Sequence, residues 1–159
     1  MQVPESAREF FDRQTARLKS MLRKKRIVFP EGDDPRVMDA ASRLCTEELV
    51  LPIIMGKPSQ RLAGCVEVGT PADHPKLKDY ARFLQEKRRS RGMTLLEAEK
   101  TALNPLVFAG LMIASGDADG FVGGAATTTA DTFRAAHMTV GMRTDIKTAS
   151  GVMIVCTHA

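Results

Sequence analysis

The sequence predicts an α/β domain built on a mostly parallel sheet with helices on both faces. Short strand-like runs, RIVFP at 26–30, LPIIMG at 51–56, CVEVG at 65–69 and FVGG at 121–124, alternate with segments of helical length. Those segments carry local start and stop signals in the right places, and no internal repeat, low-complexity tract or flexible linker interrupts the alternation. With 159 residues and 43% hydrophobic content, the chain is long enough for one real core and too short for two complete domains of ordinary size.

Residues 5–24 carry Phe11, Leu18 and Leu22 at helical intervals beside Arg and Lys, which predicts an amphipathic opening helix. RIVFP reads as a buried, β-branched strand stopped by Pro30. In EGDDPR, Asp34 is placed to cap and Pro35 to begin a helix running to about Leu49. LPIIMG and CVEVG are the second and third strands. Leu77, Tyr80, Ala81 and Leu84 sit at i, i+3, i+4 and i+7, so residues 75–91 form a helix with one apolar face, ended by Gly92. Thr94 and Glu97 make a capping box ahead of LLEAEKTAL. Asn104 and Pro105 start the next helix, LVFAGLMIAS, which is apolar all round and therefore buried on more than one face. The turn GDADG closes it, FVGG follows as a strand, residues 130–140 as a helix, and SGVMIVC as a last strand.

Composition narrows the partners. There is no Trp and a single tyrosine, Tyr80, so the stacking platforms that grip single-stranded nucleic acid are missing. A net charge of +4, from 23 basic and 19 acidic residues, suits a small or medium anionic ligand better than DNA. RKKR at Arg23–Arg26 reads as a solvated helix end; KRRSR at Lys87–Arg91 stays open between a helix end and a landing surface for an anion. Cys45, Cys65 and Cys156 are odd in number and far apart, with no C-x-x-C pair, so neither a disulfide framework nor a zinc site is expected. His74, His137 and His158 lack metal-ligand spacing, and no metal site is assigned. A reduced, cytoplasmic compartment follows, since no apolar run is long enough to cross a bilayer and the amino terminus has no signal-like core.

Ligands of parallel sheets bind at the carboxyl ends of the strands. That rule puts EGDDPR and GGAATTTADTFR on one rim. The second loop has the chemistry of an anion cradle. Gly123 and Gly124 allow positive φ and close backbone approach, Thr127, Thr128 and Thr129 donate hydroxyls, a helix N-terminus adds partial positive charge, and Arg134 offers a guanidinium fork. The alternative is a simple cap, with the threonines closing the helix start and Arg134 in water. GKPS at Gly56–Ser59 is a turn, because Leu51 stands where a phosphate loop needs its first Gly, and no G-x-G-x-x-G follows any strand.

Four stretches in fixed order, FPEGDDPR, FLQEKRRSRGMTLLEAEK, NPLVFAGLMIASGDADGFVGGAATTTADTFR and IKTASG, resemble the phosphate acetyltransferase (phosphotransacetylase) family. The resemblance implies two α/β domains flanking a cleft, akin to isocitrate and isopropylmalate dehydrogenases, with this chain incomplete relative to the family. Residues 1–145 would form most of the first domain and 146–159 the beginning of the second. It implies reversible transfer of acetyl between coenzyme A and inorganic phosphate, in a cytoplasmic homodimer. Acetyl-CoA or CoA and phosphate or acetyl phosphate would be the partners, with no nucleic acid, no membrane and no cofactor, coenzyme A being a substrate.

By the same resemblance the loop with Gly124, Thr127, Thr128, Thr129 and Arg134 binds phosphate or acetyl phosphate, and Arg88 binds coenzyme A. The family's catalytic Ser, Arg and Asp would lie beyond this chain, so no catalytic residue is assigned. Gly123, Thr127, Ala135 and Thr144-Asp145 stand where the family commonly has Ser, His, Pro and Pro-Gly, which leaves a propionyl or butyryl transferase open. A second alternative is a non-catalytic phosphate- or acyl-CoA-binding regulatory module, like the tail of bacterial malic enzymes.

Overall fold

A computed structural model describes residues 4–57, 62–152 and 155. The chain divides into two units, one of residues 25–141 and one of the terminal segments 1–24 and 142–159.

The larger unit holds the sheet. Strands β1 (Arg26–Phe29), β2 (Leu51–Met55), β3 (Val66–Gly69) and β4 (Gly120–Phe121) pair in the order β3-β2-β1-β4, all parallel. Register sets Val28 beside Ile53 and Phe121, and Ile27 beside Pro52 and Gly120. Because successive side chains point to opposite faces, the strands feed two cores. Val28, Ile53 and Met55 pack with Tyr80, Ala81, Leu84, Leu106, Phe108 and Leu111, while Phe29 and Ile54 pack with Met38 and Ala41 on the other side. Helices therefore cover both faces, as the sequence predicts.

Local signals set most helix boundaries. Helix α2 (Pro35–Thr46) starts where Asp34 accepts from the Arg36 N–H at 2.8 Å. It ends three residues before the expected Leu49. Glu48 takes the left-handed φ of +56°, and the N–H groups of Glu48 and Leu49 donate back to the carbonyls of Cys45 and Leu44, a Schellman closure without its usual glycine. Helix α3 (Leu77–Arg88) buries Tyr80, Ala81 and Leu84 and runs into a 3₁₀ turn at Arg89–Arg91, closed by Gly92 at φ +78°. Thr94 and Glu97 form the capping box of α4 (Leu95–Ala102). Asn104 caps α5 (Pro105–Ala114) by accepting from Leu106 and Val107, and seven consecutive residues of α5, Leu106–Met112, are buried. Helix α6 spans Thr129–Thr139.

The chain also departs from the expected elements at FVGG and at the last strand, and it joins two cysteines distant in sequence. The strand expected at FVGG is only Gly120–Phe121; Val122 still donates to Val28 O, but the two glycines turn away into the loop described below. Cys45 and Cys65, far apart in sequence, are brought to 3.0 Å Sγ–Sγ as free thiols, because the end of α2 packs where the chain enters β3. Of the expected last strand, Ser150–Val152 and Val155 are not in a strand, while Met153, Ile154 and Cys156 lie outside the described residues. So does His158, along with the Pro58 and Ser59 of GKPS.

In the smaller unit, α1 (Glu5–Lys19) is shorter than the expected 5–24. Ser20 ends it, its hydroxyl donating to Arg17 O at 2.9 Å, and Leu22 beyond is fully exposed. Arg143 forms a two-pronged pair with Asp145 at 3.0 and 2.9 Å.

Helices α5 and α6 meet at Gly110 and Thr139. Thr139 is fully buried, its hydroxyl satisfied by Ala135 O at 2.7 Å, and a Cβ on Gly110 would overlap that hydroxyl. Overpacking so tight a crossing costs about 1–3 kcal/mol. Gly110→Ala is therefore expected to lower unfolding free energy by that amount in a urea titration.

Candidate anion-binding rim

In an all-parallel sheet the segments after β1, β2 and β4 emerge on one edge. EGDDPR and the Gly123–Thr129 loop do meet there, and the acidic residues of EGDD tie the edge together. Glu31 spans the widest gap in sequence. Its Oε2 accepts from the N–H groups of Gly124 (2.9 Å) and Ala125 (2.8 Å), and its Oε1 from the Ala126 N–H (2.9 Å) and the Thr127 hydroxyl (2.8 Å). Asp33 accepts from the Lys57 N–H at 2.7 Å, holding the exit of β2. Asp34 caps α2 and pairs with Arg36, whose Nη2 donates on to Ala125 O at 2.6 Å.

The Gly123–Thr127 turn is thus a nest of donors, with a carboxylate of the same chain seated in it. Gly124 makes the nest possible through its φ of +106°, which a residue with a side chain rarely adopts. Gly123 serves differently. A Cβ there would stand 2.9 Å from Leu106 Cδ2 and 3.5 Å from Pro30 Cγ, so it permits close approach.

Thr128 caps α6, its Oγ1 accepting from the Asp131 N–H at 3.1 Å and donating to Asp131 Oδ2 at 2.6 Å. Arg134 Nη1 reaches the other oxygen of Asp131 at 2.5 Å. Thr128 and Arg134, both exposed, are therefore neighbours through one carboxylate across the first two turns of α6, with Thr129 as its first residue. Cradle and cap, open alternatives in the sequence, divide between adjacent residues: Gly124–Thr127 cradle a carboxylate, and Thr128 caps.

Arg88 lies elsewhere. It leaves the last turn of α3 and donates to the carbonyls of Met138 (Nε, 3.1 Å) and His137 (Nη2, 3.4 Å), at the opposite end of α6. Ten residues of helix put its partner Met138 about 15 Å from Thr128 along the α6 axis. There Arg88 lines a hollow of about 470 Å³ with Arg91, Gly92, Met93, Glu97, Thr101 and Met138. Burial lowers the Arg88 pKa, with the Arg91 charge adding to the effect. Two cations face one hollow, an arrangement that attracts anions.

Charge states at the rim follow from these contacts. Burial pushes the Glu31 carboxyl up, but the Ala126 N–H, the Thr127 hydroxyl and the N–H groups of Ala125 and Gly124 together outweigh it, and the pKa lies below the ordinary value. The Arg36 guanidinium and N–H bring Asp34 down to about 2. Among the described residues no group of three or more His, Cys, Asp and Glu is placed to hold a metal ion.

Glu31 and Arg36 are not among the site residues to which the sequence points. The signal was there in part, since an acid on a rim facing a turn rich in unpaired N–H groups has an obvious destination. The 93-residue separation hid it.

The family pattern described as phosphate acetyl/butaryl transferase matches residues 10–159. The chain belongs to that family. It is 42% identical over 115 residues to the phosphate acetyltransferase of Paracoccus denitrificans, an alignment covering 72% of this chain and 35% of the relative. It is 36% identical over 138 residues to that of Acetivibrio thermocellus, covering 82% of this chain and 40% of the relative. Among solved structures, a phosphotransacetylase from Streptococcus pyogenes superposes with a TM-score of 0.80 at 28% identity, over 93% of this chain and 46% of that one. The EutD phosphotransacetylase from Staphylococcus aureus gives 0.76 at 26%, over 86% and 44%. The chain spans less than half the length of these relatives.

The Glu31 contact has a pH signature. A depressed folded pKa means that its stabilisation is fully present above the unfolded carboxylate pKa, near 4.3, and is lost as pH falls through the folded value. Other carboxylates with depressed pKa act in the same direction, so the difference between wild type and Glu31→Gln isolates this one. That difference should be largest at neutral pH and shrink below about pH 4 in urea titrations. Glu31→Ala, which strips partners from four donors, should cost roughly 2 kcal/mol at pH 7.

Proposed function

We propose that this chain is the amino-terminal part of an acyltransferase that moves an acetyl group between coenzyme A and inorganic phosphate, with acetyl phosphate as the second acyl carrier. The match to the family over residues 10–159 carries the reading. Relatives aligned to it are named phosphate acetyltransferase, which favours acetyl over longer acyl chains.

The chemistry asks for positive groups in two places. A thioester and a phosphate bring several negative charges together, and attack on the acyl carbonyl builds an oxyanion; both need positioned donors. At one end of α6, the helix N-terminus with Thr128, Thr129 and Arg134 is the proposed phosphate side. Gly124 and Thr127 shape it, since their donors hold Glu31. At the other end Arg88 and Arg91 face the hollow proposed for the anionic part of coenzyme A. The length of α6 separates the two, which suits one long ligand and one short one. A cytoplasmic homodimer completes the reading, on the family likeness alone.

The test is acetyl phosphate formation from acetyl-CoA and phosphate, assayed for this chain and for any longer open frame that carries it. Arg134→Ala should raise the KM for phosphate, and Arg88→Ala the KM for coenzyme A, each by about 10-fold or more, the loss of one charge-assisted contact. If calorimetry shows phosphate and acyl-CoA binding but no polypeptide turns over, the enzyme reading fails and a binding module replaces it.

A further inference from the structure

On the edge of the sheet opposite the anion rim, the last turn of α2 meets the entry to β3. Helix α2 begins at the rim with Pro35, so Cys45 in its last turn stands about 15 Å away along the axis. Cys65 directly precedes β3, which runs parallel to its neighbours and so starts on the far edge. The two sulphurs are 3.0 Å apart, both half-buried and both free thiols. Gly64 adopts φ +82°, and a Cβ on it would stand 3.3 Å from Cys45 Sγ, so the backbone before Cys65 is fitted closely against that sulphur. An open hollow lined by Leu62, Ala63, Cys65 and Glu67 gives a small solute a way in.

We propose that Cys45 and Cys65 are a peroxide-oxidisable dithiol that closes into a staple between the end of α2 and the start of β3. The oxidant class is a small neutral hydroperoxide, which the Glu67 carboxylate at the hollow does not repel. The hollow opens on Cys65, with the Cys45 sulphur 3.0 Å from it. The sulphur that meets the peroxide takes one of its oxygens as the O–O bond breaks and water leaves, giving a sulfenic acid. The other Sγ then attacks that sulphur; the S–S bond forms, the S–O bond breaks, and the departing oxygen carries off the second thiol's proton as water. Two thiols and one hydrogen peroxide become one disulfide and two waters. In a reducing compartment such a link is transient and thiol-reversible. The closed loop spans 20 residues and contains all of β2.

The experiment uses the full chain carrying Cys156→Ser, so that Cys45 and Cys65 alone titrate. Stoichiometric hydrogen peroxide should abolish both thiols together, join their tryptic peptides in one mass with two hydrogens lost, and raise Tm by roughly 5–10 °C. Dithiothreitol should reverse all three. With either of the two cysteines also replaced by serine, dimedone should label the one that remains. Disulfide-linked dimers, a sulfinic acid without a cross-link, or a cross-link that leaves Tm unchanged would each overturn the staple.

Discussion

The rim rests on one carboxylate. Glu31 sits at the end of β1 and receives four hydrogen bonds from a turn at the end of β4, so two loops with no sequence proximity become one surface. Glu31 gives three backbone N–H groups and a hydroxyl of this exposed turn one shared acceptor in place of water, which ties the turn to the end of β1. The same contact fixes where α6 begins, since Thr128 follows directly and caps that helix. The start of α6, and with it Thr129 and Arg134, is placed by Glu31.

The cores explain why that helix arrives at the rim at all. Alternate residues of β1 and β2 feed two faces, and the more apolar face is covered by α5, buried along nearly its whole length. Gly110 lets α6 approach α5 closely, and Thr139, far along α6, is sealed into that crossing with its hydroxyl satisfied within the helix. Arg88 then clamps the carbonyl end of α6 from α3. The helix is held by packing at one end and by the loop contact at the other. On the far edge, Arg26 and Asp119 join the starts of β1 and β4, with the Arg26 N–H on Asp119 Oδ2 at 2.8 Å.

Features whose causes lie within a few residues were legible from the sequence. Asp34 before Pro35, the Thr94 and Glu97 box and Asn104 before Pro105 all act over two or three positions, and each caps the helix expected of it. The Leu77, Tyr80, Ala81, Leu84 face is legible for the same reason, because a helical period is local. The end of α2 was less so: Glu48 in a left-handed conformation gives no glycine signal.

The sequence by itself determined the alternation of elements, their caps, the two loops that share an edge and the family. Tertiary structure decided what those loops do to each other. It seated Glu31 in the nest read as a site for an external anion, set Arg88 a helix length away from Thr128, and brought Cys45 to Cys65. These contacts join residues 20 to 96 positions apart, and such pairs meet only when the packing of sheet and helices selects one arrangement of the whole chain.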